Sequence, residues 1–355
     1  MLTRLGRFIV RHPKAILAAV VLFVVASFAV AGGVTDRLTS GGFYDPNSES
    51  QRAAAVLEHQ FGTQDPNIVL LVTAKHGTVD GASVARAGRA VTAELAAEPD
   101  VSHVVSYWSL DNAPPLKSSD GRQALVLAAI SGSDDHVNDV IKVVSPHFTR
   151  DNETVRVAVG GRAEVFRQVG DTIKGDLSRA EAIAFPITLV LLLIVFGSLV
   201  AAGLPLLVGI VAIAGSFLAL YIVSSLTDVS IYSINLVTAM GLGLAIDHSL
   251  FIVSRFREEL RNGLATDDAV VRTVATAGRT VAGSAVTVAV ALAALWLFPL
   301  TFLRSFAYAG IAVSVLAAVG AVVALPALLT VLGPRVNSLR ILGGRGMILP
   351  SGPLI

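Results

Sequence analysis

The stretch from Ile231 to Glu259, IYSINLVTAMGLGLAIDHSLFIVSRFREE, decides how the rest of the sequence is interpreted. Its apolar run is long enough to cross a bilayer, since a membrane-spanning helix needs about 20 such residues. A single carboxylate, Asp247, lies within that run, and Arg255 and Arg257 follow it. An acid inside a spanning helix costs a few kcal/mol to insert and usually faces protein or water. Asp247 is therefore the first candidate for a functional residue.

Asp247 shares one side of the predicted helix with small or polar residues. Residues four apart lie on the same side of a helix, so Asn235, Ala239, Gly243 and Asp247 form a slowly drifting stripe. Small residues allow a second helix to approach closely. Two interpretations stay open: a protonatable site in a transport pathway, or a tolerated acid that hydrogen-bonds a neighbouring helix.

The composition excludes several functional classes. The 355 residues are 54% hydrophobic and 15% charged, which is too apolar for an ordinary soluble protein. The absence of cysteine excludes disulfides, thiolate zinc sites and cysteine nucleophiles. The seven histidines have no metal-ligand spacing, so no metal site is predicted. A net charge of +1 gives no indication of a nucleic-acid partner, and none is expected.

Six apolar stretches are long enough to span a membrane. They lie at residues 15–34, 182–201, 203–225, 231–254, 280–300 and 306–332. Cytoplasmic loops of membrane proteins are rich in Lys and Arg. The arginine-rich residues 255–279 are therefore predicted to form a cytoplasmic link that contains an interfacial helix. The basic residues 1–14 place the N-terminus on the same side.

The first apolar stretch has two interpretations. Ala29-Val30-Ala31 fits the small-residue cleavage site of a secretory signal peptide. The same stretch is equally suitable as a retained first span within residues 1–34. The residues alone leave both open.

Residues 35–180 form a polar region of domain size, predicted to lie on the extracytoplasmic side. Strands are expected at 67–74, 103–109, 123–131 and 155–160, and helices at 83–97 and 137–148. The order β-α-β-β-α-β predicts an α+β ferredoxin-like fold. The predicted fold class is thus an α-helical membrane protein with six transmembrane helices, five of them in residues 181–334, and an extracytoplasmic ferredoxin-like domain. Residues 335–355 are predicted to form a poorly ordered cytoplasmic tail.

Several motifs carry a resemblance to a known family. GLGLAIDHSLFIVSRFREEL (Gly241 to Leu260) and AVVRTVATAGRTVAGSAV (Ala269 to Val286) resemble the fourth span, the link and the fifth span of the MmpL lipid exporters of mycobacteria. DRLTSGGFYDPNSES (Asp36 to Ser50) and LGPRVNSL (Leu332 to Leu339) resemble the start of their external domain and the exit from their sixth span. These exporters belong to the resistance-nodulation-division (RND) superfamily. The chain resembles their N-terminal half.

The resemblance implies a function and a set of site residues. It implies a non-enzymatic inner-membrane exporter of lipids or lipid-like molecules, with a retained first span and a porter-like external domain. The proton gradient supplies the energy, and no cofactor is expected. Asp247 would be the proton carrier, with His248 as its neighbour and Ser284 as its hydrogen-bond partner. Gly241 and Gly243 would allow close helix packing.

Three features depart from the family. His248 stands where the family usually has Tyr; His exchanges protons near neutral pH, but the Tyr hydroxyl is lost. Family members carry two such halves in one chain, so this half is expected to form a homo-oligomer or to pair with a separate second-half subunit. The sequence from Arg340 onward does not resemble the family's continuation. A degenerate or non-pumping subunit that binds lipid or scaffolds an envelope complex is therefore the alternative to an exporter.

One enzyme class can be tested on the sequence itself. An intramembrane aspartyl protease needs two acids within its spans. Asp228 lies at the end of a span, outside the predicted bilayer core, so Asp247 has no second acid beside it. This enzyme class is therefore not expected.

Overall fold

A computed structural model describes residues 1–45, 47–62 and 64–338 of the chain. It divides into two compact units. The first, called the membrane unit, comprises Met1–Phe43 and the chain from Arg179 onward; the second, called the external unit, is Tyr44–Ser178. The division thus falls at residues 43/44 and 178/179, near the predicted 34/35 and 180/181. Most of the predicted tail, from residue 339, lies outside the described residues.

The described chain is mainly helical. Its helices are α1 (Leu2–Arg11), α2 (Pro13–Ala31), α3 (Glu49–Phe61), α4 (Ala82–Ala96), α5 (Asp134–Phe148), α6 (Arg162–Phe196), α7 (Leu199–Ser224), α8 (Ser233–Arg261), α9 (Thr266–Ala293), α10 (Thr301–Val319) and α11 (Leu325–Leu332). Within the described residues, six helices are long and apolar enough to cross a membrane: α2, α6, α7, α8, α9, and α10 together with its continuation through α11. The prediction of six spanning helices is confirmed.

The charged segment between the fourth and fifth spans differs from the prediction. Instead of a separate link over residues 255–279, α8 continues to Arg261 and α9 begins at Thr266. Ion pairs three and four residues apart along α8, from Arg255 to Glu258 and Glu259, favour this continuation of the helix. Gly263, with φ +86°, makes the turn, a conformation that glycine adopts without a steric penalty.

The sixth span is interrupted by a widened helical turn. A π-helical segment, Gly320–Ala324, joins α10 to α11. Pro326 stands in the first turn of α11 and lacks the N–H that would bond to the carbonyl of residue 322. The proline therefore gives a physical reason for the local departure from regular α-helical bonding.

In the membrane unit, α8 packs against α7, α9 and α10. Its packed side includes the small residues Ser233, Gly241, Ala245 and Ser249, which let the spans approach closely. The segment before the external unit is also part of this unit, because Thr39 donates from its N–H to the Val229 carbonyl and accepts from the Ile231 N–H, both at 2.9 Å. These bonds fix the entry of the chain into α8.

The external unit contains an antiparallel sheet. Its strands are β1 (Ile68–Ala74), β2 (Val101–Ser106), β3 (Gln123–Ile130), β4 (Arg150–Asp151) and β5 (Val155–Gly160), in the order β2-β3-β1-β5-β4. In β1, Ile68, Leu70 and Val72 are fully buried and alternate with partly exposed residues, as expected for a strand with one covered face. Residues from α4 and α5 complete the same apolar core. The elements follow the predicted chain order, with the short β4 added before β5.

Helix α3 was not predicted. Ser48 caps its first turn by accepting a hydrogen bond from the Gln51 N–H, and Gly62 ends it in the left-handed conformation with φ +64°. Its described residues include none that are buried. The local sequence carries these cap signals, whereas the absence of a clear apolar stripe hid the helix.

Candidate functional site

Asp247 is the central residue of the 29-residue helix α8. Its side chain is exposed on the surface of the chain. Within the described residues it takes part in no hydrogen bond or ion pair. The carboxylate therefore lies in the middle of α8, on a side where the described residues give it no hydrogen bond or ion pair.

The small-residue stripe beside Asp247 is also uncovered. Ala239 and Gly243 are exposed, and Asn235 is half-buried. A Cβ built on Gly243 would meet no other residue of the described chain within 4 Å. An exposed strip, consisting of the small residues Ala239 and Gly243 together with Asp247, thus runs along α8, and no helix among the described residues covers it.

His248 points in a different direction from Asp247, because consecutive residues in a helix are about 100° apart. The imidazole is only 2% exposed and lies against α10. The ring interacts with the charge of Asp247 and with the backbone of Ala317, although neither ring nitrogen reaches standard hydrogen-bond geometry. Asp247 and His248 therefore lie on different sides of α8 but still interact electrostatically.

Gly241 lies on the packed side of α8. A Cβ there would be 2.7 Å from Cγ1 of Ile213 in α7 and 3.3 Å from Cγ2 of Val313 in α10. Only a glycine fits this gap without displacing a neighbour. Gly241 thus allows close packing within the chain, whereas Gly243 faces outward.

Ser284 is exposed on α9. Among the described residues no hydrogen bond joins it to Asp247. The structure thus places Gly241 and His248 inside the bundle, and Gly243, Asp247 and Ser284 on its surface. The functional roles assigned to these residues stay predictions.

A buried ion cluster lies at the arginine-rich end of α8. Glu259 is fully buried and lies 2.5 Å from Nη2 of Arg255 and 3.2 Å from Nε of Arg272 on α9. Sequence reasoning assigned these residues to a surface link and missed the cluster. The four-residue spacing from Arg255 to Glu259 was the available signal. The cluster joins α8 to α9.

Arg257 joins α8 to the end of α6. Its Nη1 donates a hydrogen bond to the carbonyl oxygen of Phe196 at 2.9 Å, and its guanidinium lies 5.6 Å from the centre of the Phe196 ring. Phe196 is the last residue of α6, where carbonyl groups lack partners within the helix. A cation is also favoured there by the helix dipole. The helix that carries Asp247 is thereby tied to the helix that enters from the external unit.

No metal centre is formed by the residues that the structure describes: they contain no group of three His, Asp or Glu side chains suited to hold an ion. The external unit has an open cleft of about 550 Å³. Its lining is mostly polar and consists of Lys75, His76, Ser83, Val84, Asn152, Glu153 and Thr154. Such a lining is unsuited to an acyl chain, since ligand pockets for apolar molecules are mainly apolar.

Residues 43–345 match the MMPL family. The chain is 38% identical over 340 residues to SCO6666 of Streptomyces coelicolor, named as a membrane protein, with 95% of this chain and 47% of the relative covered. It is 35% identical over 342 residues to the trehalose monomycolate exporter MmpL3 of Mycolicibacterium smegmatis, with 90% and 33% covered. For the mycolic acid-containing lipids exporter MmpL11 of the same organism, identity is 31% over 340 residues, with 93% and 35% covered.

The chain thus spans about a third to a half of the length of these relatives. Among solved structures, a heavy metal efflux pump covers 80% of this chain with a TM-score of 0.49 and 15% identity; 37% of that pump is covered. The family match extends over most of the described residues and includes all of α3 to α11. The chain therefore belongs to the MMPL family, within the RND superfamily, and is a multi-pass inner-membrane protein.

Proposed function

We propose that this chain is one half of an RND-type exporter that uses the proton gradient to move lipids or lipid-like molecules to the cell envelope. Its relatives MmpL3 and MmpL11 are named as exporters of trehalose monomycolate and of mycolic acid-containing lipids. We take the proposed substrate class, lipids or lipid-like molecules, from the names of these two relatives. The proton dependence rests on the chain's own residues.

The uncovered position of Asp247 is the observation that carries the proposal. A carboxylate facing acyl chains at mid-span costs several kcal/mol in its charged form, so such acids face a protein interior or water. In this chain the small-residue strip around Asp247 is free of covering helices among the described residues. In the working protein a second set of helices covers it, either from another copy of the chain or from a separate second-half subunit.

If a second set of helices covers this strip, the packing around Asp247 depends on whether its carboxyl group is protonated. In a low-dielectric site the neutral acid is favoured over the carboxylate, so proton binding and release change the preferred packing of the helices. Ser284, exposed on α9, is the candidate within the chain to join such a site. His248 faces α10, so its part in the relay requires a change of rotamer or helix rotation.

The external unit is proposed to be a porter-like domain of ferredoxin-like topology. Its sheet order β2-β3-β1-β5 matches the strand order of a split β-α-β pair, and α4 and α5 contribute to one core with it. Helix α6 is continuous from Arg162 to Phe196. Through Arg257 its end is bound to α8.

Substitution of Asp247 by Asn tests the proton role. The full chain, with and without a candidate second half, is reconstituted in vesicles with an imposed pH gradient. Proton uptake is measured with an internal pH dye, and export is measured with a fluorescent lipid. Asp247→Asn should abolish both, while Asp228→Asn, at an exposed acid outside the span, should leave both unchanged. Export at the normal rate by Asp247→Asn would refute the proton role.

Cysteine crosslinking tests whether a second copy covers the strip. The chain has no cysteine, so Ala239→Cys introduces a unique thiol on α8. In a symmetric dimer across this face, oxidation should give a covalent dimer for Ala239→Cys and little for Leu22→Cys, which is 70% exposed on α2. If both variants gave only monomers, a homodimer across this face would be excluded. A separate second-half subunit would then be the partner that covers the strip.

The buried orientation of His248 favours one alternative, a non-pumping subunit that binds lipid or scaffolds an envelope complex. In that case the imidazole contributes packing rather than proton transfer. The vesicle experiment distinguishes the two functions. A subunit that binds lipid without proton uptake, even beside a second half, has the non-pumping role.

A further inference from the structure

The first helix, α1, has an apolar side that holds it on the membrane unit. Ile9 is fully buried, and a Cβ on Gly6 would lie 3.0 Å from Cα of Val271, near the start of α9. Leu2, Leu5 and Val10 pack against the same core. Helix α1 therefore lies on the N-terminal end of α9, next to the turn that connects α8 to α9.

The opposite side of α1 is basic. Arg4, Arg7 and Arg11 are exposed, and their positions fall within about 60° around the helix axis, because successive residues are about 100° apart. Lys14 follows, exposed in the first turn of α2. In the part of the chain that the structure describes, none of these four cations forms an ion pair.

No acid of the same segment offsets this charge. The first acidic residue in the sequence is Asp36. Helix α9, on which α1 packs, begins with Asp267 and Asp268, but both are exposed and neither pairs with α1 among the described residues. The basic side of α1 is therefore a concentrated, uncompensated positive surface.

We propose that this surface binds the anionic headgroups of phospholipids in the leaflet where α2 enters the membrane. Helix α2 begins two residues after α1 ends, so α1 is held near the level of the headgroups. Guanidinium groups bind phosphate oxygens in bidentate fashion. Phe8 is 55% exposed and lies next to Arg4 on the helix surface, and an aromatic side chain beside cations suits the boundary between headgroups and acyl chains.

The binding would fix the position of α1 and, through it, the ends of α8 and α9. It does not depend on the proposed export activity, because the charge and position of α1 are the same in a pump and in a non-pumping subunit. A lipid suits this surface better than free phosphate does, because the exposed Phe8 ring beside the arginines would have no apolar partner in free phosphate.

Thermal unfolding of the full chain in a neutral detergent tests the proposal. Phosphatidylglycerol should raise the unfolding midpoint in a saturable and salt-sensitive manner, and phosphatidylcholine should not. Each basic residue near an anionic surface contributes about fivefold in affinity. The triple variant Arg4→Gln, Arg7→Gln, Arg11→Gln should therefore bind phosphatidylglycerol roughly tenfold to a hundredfold more weakly.

Two matched variants control for fold and for total charge. The triple Arg→Lys variant at the same positions keeps the charge and should retain most of the affinity. The triple Gln variant at Arg86, Arg89 and Arg156, all exposed in the external unit, removes equal charge elsewhere and should bind like the wild type.

Two results would overturn the inference. One is unchanged phosphatidylglycerol affinity in the α1 Gln variant. The other is an equal rise in midpoint with inorganic phosphate at the same concentration, which would identify a simple anion site. If the triple Gln variant fails to fold, the single variants Arg4→Gln, Arg7→Gln and Arg11→Gln decide, because unchanged phosphatidylglycerol affinity in all three would also overturn the inference.

Discussion

Asp247 and His248 are consecutive in α8, yet the first side chain is exposed and the second is only 2% exposed and packed against α10. The helix itself causes this separation, since one residue turns the side chain by about 100°. Any covering subunit would therefore contact Asp247 first. His248 belongs to the interior of the chain in this structure.

The first prediction concerns the packing role of His248. Both nitrogens of the His248 ring lack partners in standard hydrogen-bond geometry. Replacing the imidazole with an apolar side chain of similar size therefore removes two buried polar atoms that make no standard hydrogen bond. His248→Leu should unfold at the same temperature as the wild type or higher. His248→Ala should lose roughly 2 kcal/mol or more, because it leaves a cavity.

Thermal unfolding in detergent measures both His248 variants, with the exposed His12→Ala as the control. A strongly destabilised His248→Leu would contradict the packing interpretation, since it would indicate that the imidazole makes an essential polar interaction.

The second prediction compares two glycines of α8. A Cβ on Gly241 would lie 2.7 Å from Cγ1 of Ile213, whereas one on Gly243 meets nothing within 4 Å in the described chain. Gly241→Ala should lower stability by about 1–3 kcal/mol through overpacking. Gly243→Ala should be neutral or slightly stabilising. Both variants gain the same helix propensity, so the difference between their unfolding midpoints isolates the packing term; equal midpoints would contradict the close approach of α7 and α8.

The third prediction concerns the ion cluster between α8 and α9. Glu259→Ala leaves Arg255 and Arg272 without their shared carboxylate and should cost about 2–4 kcal/mol, less than for a wholly buried pair because Arg272 is 60% exposed. The neighbouring Glu258→Ala removes only a partly exposed partner of Arg255 and should cost about 1 kcal/mol or less. Unfolding in denaturant compares the two, and similar losses would show that burial of Glu259 is unimportant.

The fourth prediction is a pH dependence of the external unit. The buried Tyr107 hydroxyl donates a hydrogen bond of 2.5 Å to Asp80, and the Lys117 ammonium lies 3.3 Å from the same carboxylate. The tyrosine hydrogen bond, followed by Lys117, holds the pKa of Asp80 below its ordinary value. That stabilisation is present above the unfolded pKa of about 4 and is lost as the pH falls through the lower folded pKa.

The same hydrogen bond acts in the opposite direction on Tyr107. Its interaction with Asp80, together with burial, raises the pKa of the Tyr107 hydroxyl. The corresponding stability is present below pH 10, about the unfolded value, and is lost as the pH rises through the higher folded pKa. Tyr107→Phe should therefore weaken the pH dependence of stability at both extremes.

Unfolding of the external unit is followed by the fluorescence of Trp108, whose indole N–H donates a hydrogen bond to the Val79 carbonyl. Trp296, the second tryptophan of the sequence, is replaced by Phe so that Trp108 alone gives the signal. Tyr44→Phe, at an exposed tyrosine, serves as the matched control and should keep the wild-type profile. If the stability of Tyr107→Phe changed with pH as that of the wild type does, in both the acid and the alkaline range, the coupling between Tyr107 and Asp80 would be contradicted.

Several elements could be predicted because their signals are local. Strand β5 begins and ends at the predicted residues, and α4 lies within one residue of its expected bounds, since alternating or periodic apolar residues define both. The cytoplasmic position of the segment 255–279 stays a prediction, but local signals missed how far α8 and α9 extend into it. Its charge density indicates solvent, whereas the structure pairs Glu259 with Arg255 and Arg272, so charged residues continue α8 and α9 as helices.

The sequence by itself determined the six spans, the position of the external unit between the first and the second, and the presence of an acid within the fourth span. Hydropathy and periodicity act along a single segment, so they can be read without neighbouring segments. Only the tertiary structure decided that His248 and Gly241 face the bundle while Asp247 and Gly243 face away from it. The direction of a side chain depends on which helices pack around its own, and that arrangement arises from contacts between residues far apart in the chain.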